Sequence, residues 1–314
     1  MGDYMQVVTN ILMTTVIYAT PLVLAALGGL FSERSGVVNI GLEGLMIIGA
    51  FMGAVGTIAT GSAWMGLILS IIAGIILALP HAVATITFKA DQVVSGVAIN
   101  FLALGISMYL VKYLYNGAGQ TPVVPETLDR VAIPFLSEIP VIGPSLFQAL
   151  PFTYIAIIAA FITYFLLYRT AFGMRIRAVG EHPHAAETAG VSVVGIRYLA
   201  VIISGALAAM GGASLSIAIG SEFNQATVAG QGFIALAALI FGKWRPLGVL
   251  GAATFFGFAV ALALTGQLIG LSAYVPSEIL SMLPYILTIL ALAGFVGRAE
   301  APNALGKPYE KGTR

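Results

Sequence analysis

The chain has 314 residues, of which 59% are hydrophobic and 9% are charged, with a mean hydropathy of +0.99 and a formal net charge of +1. Soluble domains carry about 25% charged residues, so this composition indicates an integral membrane protein, and the small net charge argues against a nucleic-acid partner. The absence of cysteine excludes disulfides and thiolate metal sites, and the three histidines (His81, His182 and His184) make no convincing metal site.

Apolar runs long enough to cross a bilayer predict nine transmembrane helices in an all-α, polytopic fold. The predicted spans are 7–31, 36–60, 63–88, 91–114, 150–168, 197–219, 229–242, 246–268 and 278–297. The seventh is short, which indicates a tilted or broken helix. No Lys or Arg precedes the first run, so we do not expect a cleaved signal peptide. We expect one membrane domain over 1–298 and a cytoplasmic tail over 299–314.

The distribution of Lys and Arg predicts the orientation of the chain. Segment 115–149 is too polar and proline-rich to span, and we expect an external loop with short helices there. With the N-terminus outside, 12 of the 14 basic residues fall in cytoplasmic segments, and Lys112 and Arg130 lie outside. Because short cytoplasmic loops are basic as a rule, the prediction is an N-terminus outside and a C-terminus in the cytoplasm.

An internal repeat supports the same topology. The sequence LAALGG at 24–29 recurs as LAAMGG at 207–212, and Gly66 and Gly248 open corresponding spans. Five spans separate the copies, so the second crosses in the opposite direction. This describes inverted repeats, with halves of about 7–114 and 197–297, which place a transport path at their interface. Chance similarity between Ala- and Gly-rich helices is the alternative.

Five residues in or near the spans are candidates for the substrate path: Asn39, Glu43, Asn100, Gln231 and Phe233. Glu43 is costly inside a membrane and normally faces protein or water, and its neighbouring glycines favour a helix break that lines a cavity. Gln231 stands at the matching place of the second repeat. The alternatives stay open: Glu43 as a buried structural acid, Asn100 and Gln231 as interhelical hydrogen-bonding groups, and Phe233 as packing.

Segment 169–197 is the predicted cytoplasmic contact. It holds four arginines: Arg169, Arg175, Arg177 and Arg197. Within it, Pro183–Ala189 predicts a two-turn helix, since proline suits the first turn and Gly190 suits the stop. A small face that includes Ala185 and Ala186 fits a groove on a soluble partner. The alternative is an ordinary loop whose arginines only fix the orientation.

The signatures of an enzyme or a self-contained pump are missing. The chain has no G-x-x-x-x-G-K-[ST] motif and therefore no P-loop for ATP, and it has neither H-E-x-x-H nor G-x-S-x-G. Only Glu43 and Asp91 lie in or at the edge of a span, whereas ion-coupled pumps use relays of such groups. A docking helix without an ATP site predicts a separate ATPase, and no cofactor or catalytic activity in this chain.

The same segment resembles a known family. Residues 173–180 (GMRIRAVG), followed by Ala185-Ala186 and Gly190-Val191, resemble the cytoplasmic coupling segment of ABC importer permeases of the branched-chain amino acid and ribose-type family. Residues 39–46 (NIGLEGLM) and 229–236 (AGQGFIAL) resemble the form found in bacterial nucleoside (guanosine-type) permeases. The resemblance covers about residues 14–298, and it departs from the family where His182 replaces a common asparagine.

The resemblance implies the permease subunit of an ATP-driven nucleoside importer in the bacterial cytoplasmic membrane. Its expected partners are an ATP-binding cassette protein that binds the ATP, a second permease subunit (related or identical), a substrate-binding lipoprotein and membrane lipid. The implied contact with the ATPase comprises Arg175, Arg177, Glu181, His182, Pro183, Ala185, Ala186 and Gly190. The alternatives are a simple-sugar (ribose-type) ABC permease and, from another class, a stand-alone secondary transporter or channel.

Overall fold

The computed structural model describes residues 2–268 and 300–312, together with Pro276, Ile279, Met282, Ile286 and Ile289. Within these residues the chain forms ten α-helices, three π-helical turns and one pair of short strands. The helices are α1 (Gly2–Arg34), α2 (Leu42–Thr60), α3 (Ala63–Ala82), α4 (Gln92–Leu114), α5 (Pro151–Arg169), α6 (Ala171–Glu181), α7 (Pro183–Thr188), α8 (Val193–Ser214), α9 (Gln231–Phe241) and α10 (Pro246–Leu268). The π-helical turns are Val83–Thr87, Gly143–Phe147 and Leu215–Ile219, and the strands are β1 (Val131–Ala132) and β2 (Gln148–Ala149). The predicted all-α class is confirmed.

Seven of the described helices are long and apolar enough to cross a membrane, and each coincides with a predicted span. The predicted short element is α9, with 11 residues. Helix α8 begins at Val193, before the predicted residue 197, because Ser192 caps it and accepts a hydrogen bond from the Gly195 amide at 3.3 Å. The ninth predicted span, 278–297, lies almost entirely outside the described residues, so a count of nine stays a prediction.

Helices α1 and α8 cross through the two copies of the repeated sequence. A Cβ on Gly28 would lie 2.7 Å from the Ser204 carbonyl oxygen, and a Cβ on Gly211 would lie 2.7 Å from that of Pro21. The pairs Gly28/Gly211 and Pro21/Ser204 share one sequence offset of 183 residues. The contacts are therefore reciprocal, and they run antiparallel, since the later residue on α1 meets the earlier one on α8. This geometry supports an inverted repeat over chance similarity.

Helix α8 is central in the described bundle, because small residues bring it close to α2 and α3 as well. A Cβ on Gly49 of α2 would lie 2.2 Å from the Ala209 carbonyl oxygen. A Cβ on Gly74 of α3 would lie 2.4 Å from the Gly205 carbonyl oxygen. Only glycine permits such backbone approach, and close packing of small residues is how helices associate where lipid removes the hydrophobic driving force.

Segment 115–149 covers one end of the bundle. The Thr121 amide donates to the Phe223 carbonyl at 2.9 Å, and the Glu126 carboxylate accepts from the Ala63 amide at the start of α3, also at 2.9 Å. Strands β1 and β2 pair in antiparallel fashion inside this segment. The expected short helices are replaced by this ribbon and one π-helical turn, since prolines interrupt any longer helical run.

Described basic residues that are predicted to be cytoplasmic, among them Arg34 and Lys89, lie at the opposite end. Arg34 donates from Nε to the Trp244 carbonyl at 2.9 Å and lies 3.9 Å from a Glu181 oxygen. Lys89 forms an ion pair with Glu310 at 2.7 Å. The ends of α1, α6 and α9 thus meet at the same face as the C-terminal segment, which is the grouping that the charge distribution predicts.

Candidate functional site

The link between α1 and α2 is irregular backbone buried inside the bundle. Asn39 is 1% exposed, and its side-chain oxygen accepts a hydrogen bond from the Gly41 amide at 3.1 Å. Its side-chain amide donates to the Ser204 hydroxyl of α8 at 2.9 Å. Non-helical backbone at membrane depth needs such partners, because hydrocarbon offers none. Asn39 therefore holds the helix break against the central helix.

Asn100 on α4 supports the same break from the other side. Its side-chain oxygen accepts from the Gly44 amide at 2.7 Å, and its side-chain nitrogen donates to the Ile40 carbonyl at 3.1 Å. Both bonds go to backbone groups that the break frees from the helical pattern. Asn100 is half-buried, so part of its side chain remains available beyond these contacts.

Glu43 joins this break to the start of α9. Its carboxylate oxygens accept from the Gly230 amide at 2.8 Å and the Gly232 amide at 2.7 Å, and the residue is 8% exposed. Free amides and the positive end of the helix dipole make a helix N-terminus a natural partner for a carboxylate. A Cβ on Gly232 would lie 2.4 Å from the Glu43 Cα, so glycine permits the approach. These contacts describe a structural acid.

Two glycine-dependent breaks therefore meet at one carboxylate, and we call Asn39, Glu43, Asn100, Gly230 and Gly232 the brace. Gly230 has a φ of +85°, in the left-handed region that suits glycine. The motif comparison matched Glu43 with Gln231, but the structure pairs Glu43 with the amides on either side of that residue. The signal for this pairing was the glycine on each side of Gln231.

The two remaining predicted path residues, Gln231 and Phe233, lie beside the brace and are more accessible than Asn39 and Glu43. Gln231 is half-buried, and Phe233, near the start of α9, is 49% exposed. Phe101 on α4, next to Asn100, is 73% exposed. The structure thus separates the five predicted path residues: Asn39 and Glu43 are enclosed, whereas Asn100, Gln231 and Phe233 reach an open surface.

The predicted helix in segment 169–197 is present as α7 and ends one residue earlier than predicted. Gly190 has a φ of +80°, as expected for the stop. The Gly190 amide donates to the Glu187 carbonyl at 2.8 Å, and the Val191 amide donates to the Ala186 carbonyl at 3.0 Å. These two bonds form a Schellman cap. A further helix, α6, precedes α7 where the sequence suggested only a basic approach.

The two alanines predicted to form the docking face of α7 have different surroundings. Ala186 is 5% exposed and packs against Val179, Val193 and Tyr309 of its own chain. Ala185 is exposed. The expectation that Ala186 enters a partner's groove therefore needs a correction: its methyl group points into the protein, and Ala185 lies on the outward face.

The remaining predicted coupling residues have different surroundings. Arg175 and His182 are exposed. The Arg177 guanidinium lies 5.0 Å from the ring centre of Tyr168, in a cation–π contact. Glu181 accepts hydrogen bonds from Asn303 near the C-terminus. The outward surface thus consists of Arg175, His182 and the exposed residues of α7.

The C-terminal segment 300–312, which we call the strap, lies across the face of the bundle that carries α6 and α7. The Ala304 amide donates to the Gly180 carbonyl at 2.9 Å. Arg197 donates from Nη1 to the Lys307 carbonyl at 3.2 Å. The strap therefore connects the end of α6 to the start of α8 and covers the inner side of α7.

Sequence reasoning missed the strap, since residues 299–314 suggest only a polar tail. The available signal was Tyr309, a single aromatic residue among charged neighbours. Arg197 had been counted with the loop arginines, but it is 2% exposed and donates from Nε to the Ser35 carbonyl at 3.2 Å. Its role in the structure is to join α8 to the end of α1.

Comparison with known proteins gives concordant results. The chain matches the family described as "Branched-chain amino acid transport system / permease component" over residues 11–292. It is 52% identical to the guanosine ABC transporter permease protein NupQ of Bacillus subtilis, over 99% of this chain and 100% of the relative. It is 42% identical to the nucleoside ABC transporter permease protein NupC of Lactococcus lactis, over 94% and 95% of the two chains. A second Bacillus subtilis protein, the guanosine ABC transporter permease protein NupP, is 27% identical over 95% of this chain and 84% of the relative.

Proposed function

The chain belongs to the family of branched-chain amino acid transport system permease components, and we propose that it is the permease subunit of an ATP-driven nucleoside importer. The observation that carries the proposal is the 52% identity to a guanosine permease over the whole of both chains. The described bundle supports it with small-residue helix crossings and a braced pair of helix breaks. The chain moves the cargo, and a separate ATP-binding cassette protein binds and hydrolyses the ATP.

The identity of the transported substrate is tested by measuring uptake in a bacterial strain that lacks nucleoside import. Cells that express the chain with its partner subunits should accumulate labelled guanosine, and excess unlabelled nucleosides should abolish the uptake. Excess ribose should leave it unchanged. Competition by ribose alone would favour the sugar alternative. Uptake by the chain without an ATPase would favour a stand-alone carrier.

The path is proposed to run along the open side of the brace. Asn100 and Gln231 offer amide groups there, and Phe233 offers an aromatic face, which suits a cargo with a planar base and polar edges. Asn39 and Glu43 support this surface from behind. Phe233→Ala should raise the guanosine concentration needed for half-maximal uptake more than Phe101→Ala, a matched aromatic removal on the neighbouring helix.

The contact with the ATPase is proposed to be the outward face of α7. Ala185→Arg places a charge where the partner should pack, and burying an unpaired charge costs several kcal/mol. We expect normal membrane insertion, loss of uptake and loss of the ATPase from the purified complex. Ala171→Arg at the exposed start of α6 is the control and should retain both. Wild-type uptake by Ala185→Arg would show that α7 is not the coupling contact.

The second permease subunit is proposed to be a related protein rather than a copy of this one. Two guanosine permease proteins of Bacillus subtilis match this chain at 52% and 27% identity, which supports a system with two unlike subunits. Co-expression of two differently tagged copies of this chain tests whether the two permease subunits are unlike. Copurification of the two tags from the active complex would indicate a homodimer instead. A substrate-binding lipoprotein completes the proposed assembly in the bacterial cytoplasmic membrane.

A further inference from the structure

A basic cavity of about 760 Å³ lies at the end of the bundle that carries the coupling segment. Four arginines and two tyrosines contribute to its wall: Arg34, Arg169, Arg177, Arg245, Tyr164 and Tyr168. The rest of the lining comes from the first turn of α10, and no lining residue is acidic. The cavity therefore concentrates positive charge from four separate places in the chain.

Three of these arginines have no anionic partner among the described residues. Within the described parts of the chain, no ion pair or side-chain hydrogen bond is formed by Arg169, Arg177 or Arg245. The Nε atom of Arg177 is buried without an acceptor. A buried donor left without a partner is destabilising, and nearby like charges add repulsion. An anion in the cavity would offset this repulsion.

The exposed apolar face of α5 beside the cavity favours a lipid as the source of the anion. Helix α5 supplies Tyr164 and Tyr168. Apolar side chains of the same part of α5 are exposed: 55% of the surface of Phe161 and 58% of that of Phe165 are accessible. Such a face belongs in hydrocarbon, and tyrosines with arginines at its end mark the boundary between membrane and water. A soluble phosphate would need the arginines but not this apolar approach.

We propose that the cavity binds the phosphate headgroup of an anionic phospholipid, with the acyl chains against the exposed face of α5. Basic pockets between helices on the cytoplasmic side of a membrane take such headgroups. Arg177, on α6, and Arg245, immediately before α10, would hold the phosphate, since both line the cavity. The bound lipid would tie the coupling segment to the bundle.

The first test compares lipids on the purified full-length chain in detergent. Thermal unfolding and native mass spectrometry are measured with added phosphatidylglycerol, cardiolipin or phosphatidylcholine of matched acyl chains. We expect one to two anionic lipids to remain bound and to raise the unfolding temperature, with no such effect of phosphatidylcholine. Equal retention of all three lipids would overturn the proposal.

The second test uses variants. Arg177→Gln and Arg245→Gln should each weaken anionic lipid binding about fivefold, the loss expected for one basic residue near a charged headgroup. Arg175→Gln is the matched control, because Arg175 is an exposed arginine of the same helix as Arg177 and does not line the cavity. An equal loss in the Arg175 variant would show general surface attraction and overturn the proposal.

Two further arms separate the possible occupants. Glycerol 3-phosphate and inorganic phosphate are added in place of lipid, and stabilisation equal to that by phosphatidylglycerol would mean a soluble-anion site. The complex with the ATPase is also examined by native mass spectrometry. Anionic lipid retained there supports the proposal, whereas its complete displacement by the ATPase would assign the cavity to protein docking.

Discussion

Glu43 accepts two backbone amides of α9, at 2.8 and 2.7 Å, and it lies 8% exposed within the bundle. A hydrogen bond to a charged group contributes about 1.5–3 kcal/mol where water is excluded. The sequence marked this residue because a carboxylate inside a span is unusual. The partner was hard to predict, since 187 residues separate Glu43 from Gly230 and only the glycines beside Gln231 marked the place.

Glu43→Gln should lower both stability and uptake. Glutamine keeps one acceptor but turns an N–H group towards the second amide, so one hydrogen bond is lost and two donors face each other. We expect a loss of about 2–3 kcal/mol, visible as a lower thermal unfolding temperature of the purified protein. The control is Glu126→Gln, since Glu126 also accepts an amide at a helix start but is exposed. Unchanged melting and uptake in the Glu43 variant would show that the brace contributes nothing.

Tyr309 provides a second test at this scale. Burial raises the pKa of its hydroxyl to about 12, and contact with Glu187 adds to the shift. The neutral phenol is therefore favoured in the docked strap. The contribution of Tyr309 to the docking free energy should stay constant up to about pH 10, where the undocked phenol ionises, and should be lost between about pH 10 and 12. Spectrophotometric titration of the phenolate, as the difference between the full-length chain and Tyr309→Phe, checks the window.

Removing the ring should loosen the strap at every pH. Tyr309→Ala leaves Val179, Ala186 and Val193 uncovered, so amide exchange in α7 should accelerate by at least tenfold. Tyr309→Phe keeps the ring and should retain most of the protection while losing the pH dependence. If α7 exchanges at the same rate in the alanine variant, the strap does not hold the coupling helix.

At the scale of elements, the apolar runs predicted the helices well. Each span must satisfy its own backbone hydrogen bonds, so length and hydropathy locate it almost without reference to its neighbours. The contacts between helices were predictable only where the repeat marked them, at the crossing of α1 and α8. The strap and the β1–β2 ribbon depend on tertiary contacts of short polar segments, for which local sequence carries little information.

The helix crossings predict the effect of one added methyl group. A Cβ at Gly49 would meet the Ala209 carbonyl oxygen at 2.2 Å, so α2 and α8 must separate. We expect Gly49→Ala to destabilise the bundle by about 1–3 kcal/mol, the usual cost of overpacking. Gly105→Ala on α4 is the matched control, because nothing lies within 4 Å of its Cβ position. Equal melting of the two variants would contradict the packing described for α8.

At the scale of the whole molecule, the two ends of the described bundle differ in charge and in the segment that lies across each of them. The described end that holds Arg34, Lys89 and the strap collects the residues expected in the cytoplasm, and segment 115–149 covers the other end. The distribution of Lys and Arg along the sequence predicted this division, since it assigns 12 of the 14 basic residues to one side. The depth of the brace between the two ends required the three-dimensional contacts.

Single cysteines can test the orientation cleanly, because the chain has none of its own. A membrane-impermeant maleimide should label Arg130→Cys in intact cells and should label Thr188→Cys only after the cells are opened. Both positions are exposed, so access rather than burial decides the result. Labelling of the residue-130 cysteine only from the cytoplasm would reverse the proposed topology.

The brace also has a consequence for how the protein is made. Glu43 leaves the ribosome long before Gly230 and Gly232, which follow it by 187 and 189 residues. At about 5–20 residues per second, the early helices wait roughly 10–40 s for the amides that their carboxylate needs. A charged side chain at the centre of a membrane helix costs about 2.5–3.5 kcal/mol on insertion scales. A nascent chain cut before α9 therefore keeps an unsatisfied acid at the start of its second helix, and we expect such a fragment to be less stable in the membrane than the complete chain.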